Sequence, residues 1–65
     1  KFNVDNKTDF TTIDTSNITT YTIYKNGSVV NVPFSVEPSD VIEITVVKVD
    51  SNKTAEIIIN GLITI

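Results

Sequence analysis

Apolar and polar residues alternate along most of the chain, in short runs separated by turn-forming residues. A period of two is typical of β-strands, because successive side chains of a strand point to opposite faces. The pattern predicts six or seven short strands at a spacing of about ten residues, which is typical of a small sandwich or a partly open barrel. The runs that carry these strands are residues 1–5, 10–13, 19–25, 28–36, 41–49 and 55–65.

Two neighbouring runs predict a β-hairpin. Asn26 and Gly27 separate residues 19–25 from residues 28–32, and this dipeptide suits the two left-handed positions of a type I′ turn. The alternation continues past Pro33. Because proline has no N–H to donate to a neighbouring strand, we expect an edge strand or a bend there.

The longest run changes its apolar phase in the middle. Ile44 and Val46 follow one phase, whereas Val47 and Val49 follow the other. A β-bulge, or a segment that is buried on both faces, would produce this change. In the final run, Gly61 interrupts the apolar pattern and predicts a kink or the end of a strand.

Composition supports an all-β fold. Ile, Val and Thr make up 29 of the 65 residues, and such β-branched side chains fit the surface of a sheet. We therefore expect residues 1–65 to form one small antiparallel β-sandwich. The core of so short a chain is thin, no Cys is present to crosslink it, and the first residue is Lys, so we expect a module from a longer protein. No apolar run approaches 18 residues, and we expect no membrane insertion.

The residue types that most catalytic sites need are missing. With no His and no Cys, the chain cannot supply a Ser-His-Asp triad, a Cys-His pair or a zinc site. Glu43 and Glu56 would approach each other if their strands formed a hairpin about residues 51–52, and paired carboxylates are the machinery of glycosidases. A sandwich of this size has little material for a sugar cleft. We therefore predict a protein that is not an enzyme and binds no cofactor.

Charge bears on two other kinds of ligand. The net charge is −3 and Arg is absent, so we expect no binding to nucleic acid. Carboxylates in loops are the ligands that Ca²⁺ prefers, but Asp is also an ordinary turn residue, and we predict no metal site. The carboxylates in predicted turns are Asp5, Asp9, Asp14, Asp40 and Asp50.

Aromatic and amide side chains near the predicted hairpin are candidates for sugar recognition. Tyr21 and Tyr24 are three residues apart in one strand, so they point to opposite faces and one of them is expected in the core. An exposed Tyr24, with Asn26 and Asn31 nearby, would let a sugar ring stack and form hydrogen bonds. This site belongs to an alternative function, a carbohydrate-binding module of a secreted enzyme.

Ile58 is the candidate interface residue. It falls out of phase with Ile57 and Ile59, so it needs cover that the core does not give. An exposed strand edge at residues 57–59 would provide that cover by pairing with a second copy of the chain, which predicts a homo-oligomer. Separately, four asparagines begin N-x-Ser/Thr sequons, which a composition rich in Asn and Thr generates by itself: Asn6, Asn17, Asn26 and Asn52.

Three stretches, residues 21–27, 32–36 and 39–46, resemble immunoglobulin-like or fibronectin type III-like accessory modules. Such modules occur in the tail-fibre, baseplate and capsid-decoration proteins of bacteriophages and in bacterial surface proteins. The resemblance extends over residues 19–60, although the Cys pair and core Trp of immunoglobulin domains are absent. It implies a structural or adhesive module of a virion or a cell surface. Its expected partners are neighbouring domains or subunits of the same assembly, with a cell-surface glycan as a further ligand.

Overall fold

The fold is known from a computed structural model that describes residues 1–64, with side chains as far as Leu62. The described chain contains β-strands and turns and no helix. The strands are β1 (Thr8–Phe10), β2 (Ile13–Ser16), β3 (Ile18–Lys25), β4 (Ser28–Val30), β5 (Phe34–Val36), β6 (Ile42–Lys48), β7 (Glu56–Ile59) and β8 (Leu62–Thr64). Ile65, the last residue of the predicted final run, lies outside the described residues.

All strand pairs are antiparallel, and they form three sheets. The orders are β4-β3-β6, β2-β7-β8 and β1-β5. Over the described chain these sheets do not close into a barrel. The predicted all-β fold of short antiparallel strands is therefore confirmed.

Side chains from all three sheets meet in one core. Ile42 of β6 and Val36 of β5 are fully enclosed, and removing such a side chain from water contributes about 1.5–3 kcal/mol. The ring of Phe10 lies between those of Phe2 and Phe34, with centroid distances of 6.3 and 5.1 Å. The buried cluster consists of Phe10, Ile23, Val36, Ile42, Ile57 and Ile59.

Two Asn-Gly dipeptides reverse the chain. Asn26 and Gly27 have φ of 52° and 86° and connect β3 to β4, which confirms the predicted hairpin. Asn60 and Gly61 have φ of 52° and 80° and connect β7 to β8 in the same way. Positive φ at both positions is the geometry of a type I′ turn. Gly61 therefore marks a full reversal of the chain, where the sequence predicted a kink or a strand end.

The change of apolar phase in β6 coincides with a bulge in the neighbouring strand. The pairing between β3 and β6 shifts between Ile18 and Thr20, so Thr19 is the extra residue. Val47, opposite Thr20, is 59% exposed. β6 itself pairs regularly from Ile42 to Val47, so neither alternative explains the change of phase: Val46 and Val47 are exposed on opposite faces of the strand.

Two of the predicted runs are divided or shortened. Residues 1–5 form no strand, and only Phe2 bridges to Ile42, through a pair of backbone hydrogen bonds of 2.8 Å. The run 28–36 breaks into β4 and β5 at Pro33, whose peptide bond with Val32 is cis. The chain thus leaves one sheet at the predicted bend and enters another. The run 10–13 is likewise shared between β1 and β2.

Asn17 fixes the corner between β2 and β3. Its φ is 60°, a left-handed conformation that asparagine tolerates better than most residues. The Oδ1 atom accepts the N–H of Asp50 at 3.0 Å, and Nδ2 donates to the carbonyl oxygens of Asp50 and Lys53 at 3.0 and 3.1 Å. One side chain therefore holds a loop that is more than thirty residues away along the chain.

Asn60 fixes the corner between β1 and β2 in a similar way. Its Oδ1 atom accepts the N–H groups of Thr11 and Thr12 at 2.8 and 3.3 Å. Its Nδ2 atom donates to the carbonyl oxygen of Asp9 at 2.6 Å. Backbone groups at a strand corner have no ladder partner and need another, which explains why a polar side chain is placed there.

Candidate functional site

The outer face of the β4-β3-β6 sheet carries Tyr24. Because Ile23 points into the core, its neighbour Tyr24 points to the opposite face. Val29 of β4 and Glu43 of β6 are its cross-strand partners, and both are exposed. Tyr24 itself is half-buried between them. An aromatic ring, a carboxylate and an apolar side chain therefore form one row across the sheet.

Asn26 is close to Tyr24 in the chain, but its carboxamide is already engaged. Its Oδ1 atom accepts the N–H of Val41 at 2.9 Å, and its Nδ2 atom donates to Oδ1 of Asp40 at 2.8 Å. Its backbone N–H donates to the carbonyl oxygen of Val41 at 2.9 Å. The side chain that the sequence assigned to ligand binding thus holds the hairpin against the chain entering β6.

The carboxylate of Asp40 accepts hydrogen bonds from several donors. The N–H of Glu37 donates to Oδ2 at 2.8 Å and is the main reason why the pKa of Asp40 lies below its ordinary value. The hydrogen bond from Asn26 lowers this pKa further, desolvation raises it, and Lys25, whose Nζ lies 3.7 Å from Oδ2, lowers it. Lys25 also donates to the carbonyl oxygen of Ser35 at 2.8 Å. Asp40 therefore joins two turns of the fold as an anion.

Asn31, the third predicted sugar ligand, lies one residue beyond β4 and is exposed. A separate shallow depression of about 240 Å³ lies beside β1 and β5. Asp9, Thr11, Pro33, Phe34 and Ser35 line it, and the Ser35 hydroxyl donates to Oδ1 of Asp9 at 2.6 Å.

Glu43 and Glu56 do not form the carboxylate pair that the sequence allowed. Glu43 lies on β6, which pairs with β3, and Glu56 lies on β7, which pairs with β2 and β8. The two strands belong to different sheets and form no hairpin about residues 51–52. The condition for their approach is therefore not met: Asn17 holds the intervening loop, and the chain continues from β6 into a strand of another sheet.

Ile58 does not lie on a free strand edge. Its strand, β7, is the central strand of its sheet, and Ile58 pairs with Asp14 on one side and Ile63 on the other. Self-pairing through the edge of residues 57–59 was therefore a wrong expectation, since both edges of β7 are already used. The Ile58 side chain is half-buried on the outer face of this sheet.

An exposed apolar cluster lies at one end of the β4-β3-β6 sheet. β4 pairs with β3 only at residues 23–25, whereas β6 pairs along the whole of β3. We call the two-stranded remainder, residues 18–22 and 45–49, the ribbon end. It carries the exposed residues Tyr21 (40%), Val46 (36%), Val47 (59%) and Val49 (69%).

Apolar side chains of the ribbon end lie on both of its faces. Tyr21 and Val46 pair with each other on the face that continues the core, and Val47 pairs with Thr20 on the opposite face. The sequence reasoning did not assign a site here. The change of phase between Val46 and Val47 was the available signal, because it left one apolar residue on each face whichever face was buried.

The described residues contain no group of three or more carboxylates that could hold a metal ion. No helix that could span a membrane occurs among them either. Of the sequon asparagines, Asn17 and Asn26 use their Nδ2 atoms as hydrogen-bond donors within the fold, whereas Asn6 and Asn52 are exposed.

Comparison with known proteins identifies no relative of this chain: no protein-family model matches it, nor does any curated protein or solved structure. Functional inference therefore rests on the chain's own residues.

Proposed function

We propose that this chain is a non-catalytic structural or adhesive module of an extracellular or virion assembly, where it spaces, joins or attaches other parts. The observation that carries the proposal is the ribbon end. Its apolar side chains are exposed on both faces, and threonines surround them, including Thr19, Thr20 and Thr45. Exposed apolar patches with a polar rim are typical of surfaces that contact another protein.

The architecture suits such a role. Corners fixed by asparagine side chains give a small domain a defined shape without disulfide bonds. Because these corners fix the shape, the module can hold an interaction surface in place even though its hydrophobic core is small. The resemblance of residues 19–60 to accessory modules of phage appendages and bacterial surface proteins supports a virion or cell-surface location. Neighbouring domains or subunits are the proposed partners.

Covalent footprinting tests this proposal without knowledge of the partner. Hydroxyl radicals label exposed Tyr and Leu side chains, and Tyr21 is accessible in the isolated chain. In the native assembly that contains the chain, we expect Tyr21 to become protected. Leu62 is 73% exposed on a different sheet and serves as the internal control, which should keep its reactivity. Equal labelling of Tyr21 in the isolated chain and in the assembly would contradict the proposal.

A second candidate function is carbohydrate binding at the outer face, as a module of a secreted enzyme. The row formed by Val29, Tyr24 and Glu43 favours it, because a ring and a carboxylate lie side by side on an open sheet surface. Asn31 remains exposed near this face, whereas Asn26 would act by holding the hairpin that positions Tyr24. A saccharide titration monitored at residues 21–31 and 43 tests this function.

A further inference from the structure

Both glycines of the chain follow an asparagine, at Asn26-Gly27 and at Asn60-Gly61. Asparagine followed by glycine is prone to a reaction within the chain itself. The glycine nitrogen attacks Cγ of the asparagine, because no glycine side chain hinders the approach, and Nδ2 leaves as ammonia together with the glycine N–H proton. Water then opens the cyclic imide on either side, which gives aspartate or isoaspartate. The two hairpin turns are therefore candidate modification sites.

Hydrogen bonds restrain the two carboxamides to different extents. Because a carboxamide must turn toward the glycine nitrogen and lose its Nδ2 atom, bonds that hold it slow the reaction. Asn60 is held by the N–H groups of Thr11 and Thr12, by the Thr11 hydroxyl, and by the carbonyl oxygen of Asp9. Asn26 is held only by the N–H of Val41 and the carboxylate of Asp40. Asn26 is thus the less restrained of the two.

The surroundings of Asn26 are also those that its product fits worst. Its Nδ2 atom donates to Oδ1 of Asp40 at 2.8 Å. Replacing Nδ2 by oxygen removes this donor and sets a second carboxylate against the first, and like charges so close repel. Lys25, whose Nζ lies 3.7 Å from the other oxygen of Asp40, can neutralise only one of them. Nδ2 of Asn60, by contrast, faces a neutral carbonyl.

We propose that Asn26 is a site of spontaneous deamidation, and that its conversion releases the β3–β4 hairpin from the chain that enters β6. The side chain of Asn26 is the link that would be lost, because it contacts Asp40 and Val41 immediately before that strand. Isoaspartate would in addition insert a main-chain atom into a two-residue turn, whose length sets the pairing of β3 with β4. This inference does not depend on the assembly role proposed above.

Mass spectrometry measures the two rates. The chain is incubated at mildly alkaline pH, either folded or unfolded in guanidinium chloride, and then digested with trypsin. Lys48 and Lys53 lie between Asn26 and Asn60, so the two sites fall in different peptides. In denaturant both should convert at similar rates, since both precede glycine. In the folded chain both should slow down, and Asn26 should convert roughly tenfold faster than Asn60, which has two further hydrogen bonds to lose.

The Asn26→Asp variant reproduces the aspartate product directly. Its matched control is Asn31→Asp, which adds the same charge at an exposed position beyond β4. Urea unfolding should show an equilibrium constant for folding that is roughly tenfold lower in Asn26→Asp than in the control, because only the former loses a hydrogen bond and gains a repulsive contact.

A charge exchange tests the assigned contact. Combining Asn26→Asp with Asp40→Asn places an amide and a carboxylate against each other again, with their positions reversed, and the new amide oxygen can still accept the N–H of Glu37. We expect the double variant to recover most of the stability that Asn26→Asp loses. Asp40→Asn alone should stay destabilised, because one amide oxygen cannot serve both the Glu37 N–H and Nδ2 of Asn26.

Several results would overturn the proposal. Conversion of Asn26 as fast in the folded chain as in denaturant would show that the fold does not restrain it, and conversion no faster than that of Asn60 would remove the ranking. Equal stability of Asn26→Asp and Asn31→Asp, or a double variant no more stable than Asn26→Asp, would refute release by charge repulsion. None of these measurements involves the ribbon end, so the proposed function stands or fails separately.

Discussion

The side chain of Asn26 donates to Oδ1 of Asp40 at 2.8 Å, and this bond joins the β3–β4 turn to the turn that precedes β6. Asp40 in turn accepts the N–H of Glu37 with its other oxygen. Asn26, which the sequence assigned to ligand binding, is thus used to position strands. The outer face with Tyr24, and the start of β6, both depend on this arrangement.

Asp40 should make the stability of the fold depend on pH. Its folded pKa lies below its ordinary value, chiefly because of the hydrogen bond from Glu37. The contribution of ionised Asp40 to the free energy of unfolding is therefore fully present above the unfolded pKa, about 3.9. It is lost as the pH falls through the lower folded pKa. When the pH is lowered from neutral to strongly acidic, the thermal unfolding temperature should fall less in Asp40→Asn than in the wild type. Asp5→Asn, which removes an exposed carboxylate, serves as the control for net charge; the same pH profile in all three proteins would contradict this role.

Two substitutions of Asn60 separate the contribution of its side-chain hydrogen bonds from that of its positive φ in the β7–β8 turn. Asn60→Gly keeps the positive φ but removes the bonds to Asp9, Thr11 and Thr12, and we expect a loss of about 1–2 kcal/mol in the free energy of unfolding. Asn60→Ala removes the bonds and also strains the backbone, so its loss should be larger. Urea unfolding measures both. Asn52→Gly is the matched control at an exposed turn, and an equal effect there would mean that the Asn60 bonds contribute nothing specific.

The core of this small domain should be sensitive to the loss of volume. Ile42 is fully buried, and replacing such a residue by Ala costs about 2–5 kcal/mol. A chain of this length has a total stability of roughly 3–10 kcal/mol. We therefore expect Ile42→Ala to be largely unfolded or close to it by circular dichroism, and Ile42→Val to remain folded. Val47→Ala, at an exposed position, should change stability by less than about 0.5 kcal/mol.

Carbohydrate binding predicts a response of the outer face alone. Titration with mixed oligosaccharides should shift the amide resonances of Tyr24, Val29 and Glu43, and Tyr24→Ala should abolish the response. Tyr21→Ala changes the other tyrosine, which is exposed on the opposite face, and should leave the response intact. Unmoved resonances over residues 21–31 and at Glu43 would remove the second candidate function.

Much of the local structure could be predicted from sequence because it depends on local signals. Alternation located β3 and β6, and Asn26 with Gly27 defined a hairpin. Asn60 with Gly61 carried the same signal and was missed, because the apolar phase continues through Gly61 and suggests one interrupted strand. Turn chemistry there overrides the continuity of the pattern.

The arrangement of sheets was harder to predict because it depends on distant contacts. Nothing near Asn17 in the sequence indicates that it holds Asp50 and Lys53. The loop that Asn17 holds connects β6 of one sheet to β7 of another, so Glu43 and Glu56 lie in different sheets and Ile58 lies on a central strand. The sequence assigned a free edge to β7, whereas in the described chain β7 is a central strand and the edges of its sheet belong to β2 and β8.

Sedimentation equilibrium of the 65-residue chain over a wide concentration range tests the central claim most directly. The account predicts that the mass rises above the 7.2 kDa monomer as the concentration increases, and that Val47→Lys reduces the rise because it places a charge within the exposed apolar cluster of the ribbon end. Leu62→Lys, an equivalent change outside the ribbon end, should associate like the wild type. A wild-type mass that stays at the monomer value at every concentration, or equal behaviour of the two lysine variants, would contradict association through the ribbon end.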